Sequence, residues 1–115
     1  MTRPADNYLR FLQLKDALRD GSSLPALDPL EVRILEFVAR ATQSSERLSV
    51  RDLMAQSQLG SPATLHARLT SMRQKGWLQL IDTEDHRRKQ IGLTQAALQH
   101  FDWLSECLVK ATDGK

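Results

Sequence analysis

The chain holds a single cysteine, Cys107, so it forms no internal disulfide and a reducing compartment, the cytoplasm, is its expected location. It has no apolar run near the roughly 20 residues that a membrane-spanning helix needs. Its first residues, M-T-R-P-A-D-N, lack the apolar stretch of a secretory signal. No membrane partner is expected. No repeat and no low-complexity segment occurs, which leaves 115 residues of ordinary globular composition, 41% apolar and 26% charged, enough for one core.

What catalysis requires is also scarce. His66, His86 and His100 are far apart in sequence, and none has a Ser or Cys partner at a motif spacing. His100 and Cys107 lie two turns apart on one helical face, but two ligands fall short of the three or four that hold a metal. Cys107 lies beside Leu104 and Leu108 and reads as a buried, inert thiol. The sequence therefore predicts no enzyme, no metal and no cofactor.

A local shortage is more informative: no Asp or Glu occurs between residues 61 and 79. Net charge is only +2, yet residues 61–92 carry Arg68, Arg73, Lys75, Arg87, Arg88 and Lys89 against Asp82, Glu84 and Asp85. Local positive charge on a nearly neutral protein is the pattern of a polyanion-binding surface. From composition alone, a solvated basic face accounts for it equally well.

Helical spacing of Tyr8, Phe11, Leu12, Leu14 and Leu18 predicts a first helix over about residues 5–19, closed by the turn formers that follow. Asp28, Pro29 and Glu31 form a capping box with proline at the first helical position. The stripe Leu30, Ile34, Leu35, Val38 and Ala41 carries that second helix to about residue 42. After an extended piece at Arg47–Ser49, Ser49 and Asp52 start a short helix that turns Val50, Leu53 and Met54 inward. It is expected to stop near Leu59-Gly60, with the glycine in a left-handed cap. Ser61 and Pro62 start another helix at once.

In that helix Leu65, Leu69 and Met72 share an inward face. Ala63, Ala67, Thr70 and Gln74 lie opposite, with Thr64, His66 and Ser71 on the flanks. Small side chains let a helix approach another surface closely, and Thr or Ala can touch a thymine methyl in the major groove. Gly76 ends the helix. Trp77, Leu78, Leu80 and Ile81 then read as one strand, and Ile91 with Leu93 as the returning one. Thr94 can cap a last helix whose apolar side is Ala97, Leu98, Phe101, Leu104 and Leu108. The expected fold is mainly α with a small β-hairpin: a winged helix-turn-helix over residues 28–94, flanked by a helix and linker (1–27) and a final helix (95–115).

In residues 28–100 the sequence resembles the MarR-type winged-helix transcription regulators. The wing pattern, D-x-R followed by an apolar strand residue and L-T, stands here as Asp85, His86, Arg87, then Ile91, Leu93 and Thr94. The recognition helix matches through Thr64-Leu65, Leu69, Met72, Arg73, Lys75, Gly76 and Trp77. The resemblance implies a homodimer on pseudo-palindromic DNA, usually a repressor, with Arg87 in the minor groove oriented by Asp85. The chain departs from the family at Ala67 and Leu80, where arginine is common. Only about 20 residues follow the wing, where two long helices are usual, so the dimer interface is expected to be truncated or rebuilt, and any small-molecule effector is unassigned.

Combined, these readings predict partners: double-stranded DNA and a second copy of the chain. Ser61, Ala63, Thr64, His66 and Ala67 are expected to read the major groove, with Arg68, Arg73, Lys75 and Arg51 on phosphates. Asp85, His86, Arg87, Arg88 and Lys89 make up the wing. Phe11, Leu14, Leu18, Phe101, Leu104 and Leu108 exceed what a three-helix core needs and are the expected dimer contacts. The rival reading is a winged-helix module that binds another protein instead. The basic wing and the acid-free helix favour DNA.

Overall fold

Helix caps partition the chain. The computed structural model describes residues 3–84 and 88–113, and Asp85, His86 and Arg87 at the tip of the expected wing lie outside them. In chain order the elements are α1 (Pro4–Ala17), α2 (Pro29–Gln43), α3 (Val50–Met54), α4 (Pro62–Gln74), β1 (Leu78–Asp82), β2 (Lys89–Leu93) and α5 (Gln95–Thr112). Residues 24–97 form one compact unit, and residues 1–23 with 98–115 form another.

In the unit 24–97 each helix starts where a side chain supplies the missing acceptor. Asp28 accepts from the Glu31 N–H at 2.8 Å, and Glu31 accepts in return from the Asp28 N–H at 3.0 Å, so both halves of the box form. Ser49 and Asp52 repeat the exchange at 3.0 Å each way. The Ser61 hydroxyl accepts from the Thr64 N–H at 3.2 Å. Thr94 accepts from the Ala97 N–H at 3.1 Å and donates to the Gly76 carbonyl at 2.6 Å, tying α5's start to α4's end.

The core draws on every element of this unit. Ile34, Leu35, Val38 and Ala41 of α2 are buried, as are Leu53, then Leu65, Leu69 and Met72 of α4, and Trp77, Leu78 and Ile91 of the hairpin. Antiparallel pairing runs from Leu78 opposite Leu93 to Asp82 opposite Lys89. The extended piece before α3 adds a third edge: Ser49 bridges Gln90, and the Ile91 N–H donates to the Leu48 carbonyl at 2.7 Å.

Two sequence expectations need correction. α3 is a single turn that ends at Met54, not near Leu59-Gly60. Residues 55–58 (A-Q-S-Q) offer no large apolar side chain to bury, and local turns take over, with Gln56 N–H on the Leu53 carbonyl and Leu59 N–H on Gln56. Gly60 does not adopt the left-handed conformation, which among the described residues belongs to Ser23, Ser45 and Gly76. In α5 the buried positions are Ala97, Cys107 and Ala111, whereas Leu98 and Leu108 of the expected apolar side are 42% and 54% exposed. Small side chains carry the close packing of that helix, with Leu104 half-buried and Leu98 and Leu108 left outside.

α4 ends in a Schellman arrangement. The Trp77 N–H reaches the Met72 carbonyl at 3.0 Å and the Gly76 N–H reaches Arg73 at 3.1 Å, with Gly76 at φ +87°. Alongside this end runs the segment before α2. Trp77 Nε1 donates to the Pro25 carbonyl at 2.8 Å, and Lys75 Nζ to the Ala26 carbonyl at 3.3 Å. Lys75 Nζ also donates to Glu31 Oε1 at 2.9 Å. Glu31 is 1% exposed, the one buried charged residue among those described. Burial alone raises its pKa. The hydrogen bonds from the Asp28 backbone and Lys75, with the nearby Ser71 hydroxyl and the charge of Lys75, outweigh that and hold the carboxyl below its ordinary range.

In the unit formed by residues 1–23 and 98–115, His100 Nδ1 meets Asp20 Oδ2 at 2.6 Å, and the Ser22 N–H donates to Asp20 Oδ1 at 2.9 Å. Desolvation raises the Asp20 pKa, but these partners lower it further, so the carboxyl is held down. Cys107 is buried and unbridged. α1 has no buried residue, although Tyr8, Leu9 and Leu12 lie on it. No described helix is long and apolar enough to cross a membrane.

Two expectations follow. Gly76→Ala destabilises the protein by about 1–2 kcal/mol in denaturant unfolding, because an added Cβ opposes the left-handed conformation. The Glu31–Lys75 pair is asymmetric, with side chains 2% and 31% exposed. Lys75→Met strands a buried carboxylate and costs roughly 3–5 kcal/mol. Glu31→Gln keeps the capping acceptor, frees Lys75 to turn to water, and costs clearly less in the same measurement.

Candidate nucleic-acid interface

α4 displays on its outer side what the sequence placed there. Ala63, Thr64, His66, Ala67, Thr70, Arg73 and Gln74 are exposed, while Leu65, Leu69 and Met72 hold the opposite side in the core. No acidic residue interrupts this surface. Ser61 is exposed too, but its hydroxyl already caps the helix and donates to Thr64 Oγ1 at 3.0 Å. The first turn therefore presents a pre-bonded Ser–Thr pair, with remaining lone pairs facing out.

The cations assigned to phosphates divide into two groups. Arg68 pairs with Asp28 at 3.1 Å, both side chains being about two-fifths exposed. Lys75 pairs with buried Glu31. These two are held by the N-terminal end of α2. Arg73 and Arg51 are exposed, Arg51 on the first turn of α3.

Arg51 belongs to a cluster that the linear sequence does not display. The bridge from Ser49 to Gln90 sets the start of α3 against the base of the hairpin. A concavity of about 440 Å³ opens there, lined by Arg47, Arg51, Arg88 and Lys89, with Asp52, Glu84 and neighbouring backbone. Four cations thus converge from two segments about 40 residues apart in the chain. Three are partly offset. Lys89 pairs across the hairpin with Asp82. Arg88 and Arg51 lie close enough to Asp52 to help lower its pKa, after the larger effect of hydrogen bonds from Ser49. The Thr83 hydroxyl donates to the Arg88 carbonyl at 2.8 Å and fixes the backbone at this end of the hairpin.

Sequence reasoning missed Arg47. It recognised the extended segment that carries this residue but not its pairing with β2, which is non-local. The remaining wing residues, Asp85, His86 and Arg87, lie outside the described residues.

The residues expected at a dimer contact fall in the unit formed by residues 1–23 and 98–115. Phe11, Leu14, Leu18, Phe101 and Leu104 are half-buried there, and Leu108 is exposed. The larger exposed apolar surface belongs to residues outside that set: Tyr8 (62%), Leu9 (54%) and Val109 (57%).

No family model and no curated protein sequence matches the chain. Solved structures do. The Staphylococcus aureus regulator MepR, solved with bound ethidium bromide, superposes with a TM-score of 0.66 at 16% identity, covering 96% of this chain and 72% of MepR. A MepR–DNA complex gives 0.60 at 16% identity, with the same coverage. The transcriptional regulator Tm0710 from Thermotoga maritima gives 0.62 at 13% identity, covering 93% of this chain and 70% of that one. Heme-free PefR gives 0.56 at 13% identity, covering 92% and 86%. The chain thus shares the fold of these winged-helix regulators.

Proposed function

We propose that this protein is a sequence-specific regulator that binds double-stranded DNA, as a homodimer on a pseudo-palindromic operator, and acts as a repressor. The observation that carries this reading is the cation cluster of Arg47, Arg51, Arg88 and Lys89 beside a recognition helix free of acidic residues. The solved MepR–DNA complex supports it as a protein of the same fold that binds DNA.

In this reading α4 lies in the major groove. Ala63, Thr64, His66 and Ala67 approach base edges, the two alanines giving close apolar contact of the kind a thymine methyl accepts. Ser61 and Thr64 share a hydrogen bond and offer one oriented acceptor-donor pair. Arg73 and the cluster at the base of the hairpin neutralise phosphates, which position the protein without reading sequence. Arg87 at the tip takes the adjacent minor groove, with Asp85 orienting it. Arg68 and Lys75, bound to Asp28 and Glu31, hold the helix instead of touching the duplex.

The second copy is held through α1 and α5. Tyr8, Leu9, Leu12, Leu98, Leu108 and Val109 are all more than a third exposed in one unit, an apolar surface of the kind a second copy covers. No catalytic step is assigned.

One observation favours a protein-binding module instead: Asp52, Asp82 and Glu84 offset part of the cluster's charge. Selection from random duplex DNA separates the two readings. The expected product is a pair of inverted half-sites about 10 base pairs apart, centre to centre, recovered by a protein that sediments as a dimer. A selection that enriches no sequence would leave only the protein-binding reading.

A further inference from the structure

The pairs between the start of α2 and the flank of α4 lie where they would control rotation of the recognition helix. At about 100° per residue, Leu65, Leu69 and Met72 mark the buried side of α4, and Ala63, Ala67, Thr70 and Gln74 the opposite side. Arg68 and Lys75 fall on one flank between them, about a quarter turn from each. Both reach the capping box that starts α2: Arg68 to Asp28 at 3.1 Å and Lys75 to Glu31 at 2.9 Å. The Asp28 N–H also donates to Glu31 Oε1, at 3.0 Å, so the cap of α2 and Lys75 meet at one carboxylate oxygen.

Apolar packing alone resists such rotation weakly, because it is non-directional. A roll of 20° displaces a side-chain tip on the outer surface by about 2 Å, given a helix radius of roughly 5–6 Å. That is enough to break a base contact whose useful donor–acceptor range spans only about half an ångström. An ion pair whose buried partner also accepts a backbone N–H at the same oxygen is directional. Buried pairs of this kind add little stability over an apolar replacement, so their use is better sought in specifying a single arrangement.

We infer that Glu31 is a positioning residue for DNA reading: through Lys75, and with Asp28 holding Arg68, it sets the rotation of α4 and so determines which outer side chains meet base edges. This rests on the DNA-binding reading above. Glu31 touches no DNA. Its carboxylate acts only by fixing the helix that does.

The test compares affinities of the full chain for two duplexes, the sequence it selects from random DNA and a scrambled duplex of equal length and composition. Glu31→Gln retains the acceptor that caps α2 and removes the charge. The expected result is a loss of about tenfold on the selected duplex, with affinity for the scrambled one equal or higher, since the variant carries one more net positive charge. In a variant whose circular dichroism shows it folded, a parallel fall on both duplexes overturns the inference, as does unchanged discrimination. If Glu31→Gln does not fold, Asp28→Asn decides the matter, because asparagine caps a helix as well as aspartate does and releases Arg68. A loss confined to the selected duplex supports the inference, and retained discrimination overturns it. A wild-type chain that fails to discriminate overturns the DNA-binding reading itself, whereas a discriminating wild type beside an equally discriminating variant removes only the role of Glu31.

Discussion

A carboxylate enclosed among α2, α4 and the segment before them organises the unit that carries the wing. Glu31 is 1% exposed, and burying a charge without partners costs several kcal/mol. The fold meets that demand at Oε1, where the Asp28 N–H and the Lys75 ammonium both donate. Both donors belong to segments that must therefore stay in place: the cap of α2 and the C-cap of α4. The strap at residues 25–28 adds the Pro25 and Ala26 carbonyls on Trp77 and Lys75. Gly76 turns the chain from α4 into the hairpin immediately after Lys75, so the position of the wing's first strand follows from the same anchor.

That constraint separates the basic residues by role. Arg68 and Lys75 face acidic partners supplied by α2, and their charge serves the arrangement of helices. Arg47, Arg51, Arg88 and Lys89 gather around an open concavity, and Arg73 projects from α4. A chain of net charge +2 can thus present a concentrated cationic surface while keeping its acids where they cap or anchor. Asp28, Glu31 and Asp52 all act at helix N-termini, where negative charge also meets the favourable end of the helix dipole.

Much of this was legible in the sequence because it is local. Asp28 with Glu31, Ser49 with Asp52, Ser61 before Pro62, and Thr94 each signal a helix start through contacts three residues long, and all four form. Gly76 ends α4 as expected, but the left-handed conformation expected at Gly60 is found there instead. What escaped was set by partners distant in the chain. Glu31 reads as a surface cap, and only Lys75, 44 residues later, accounts for its burial. Arg47 joins the cluster through the pairing of Ser49 with Gln90, a register that no local pattern encodes. In α5, Ala97 and Cys107 are buried as expected, but Leu98 and Leu108 of the expected apolar side are exposed, and the buried Ala111 was not foreseen. Polar residues 55–58 ended α3 early where glycine seemed the natural stop.

The account's central claim is that the open cation cluster and the outer side of α4 contact duplex phosphates. The most direct test is the dependence of duplex affinity on salt concentration. Each neutralised phosphate adds roughly −0.9 to the slope of log affinity against log salt. Contacts from Arg47, Arg51, Arg73, Arg88 and Lys89 predict a steep negative slope that becomes shallower by about one unit when Arg51 or Arg88 is replaced by alanine. An affinity that does not weaken as salt rises, or a slope indifferent to those replacements, would contradict it.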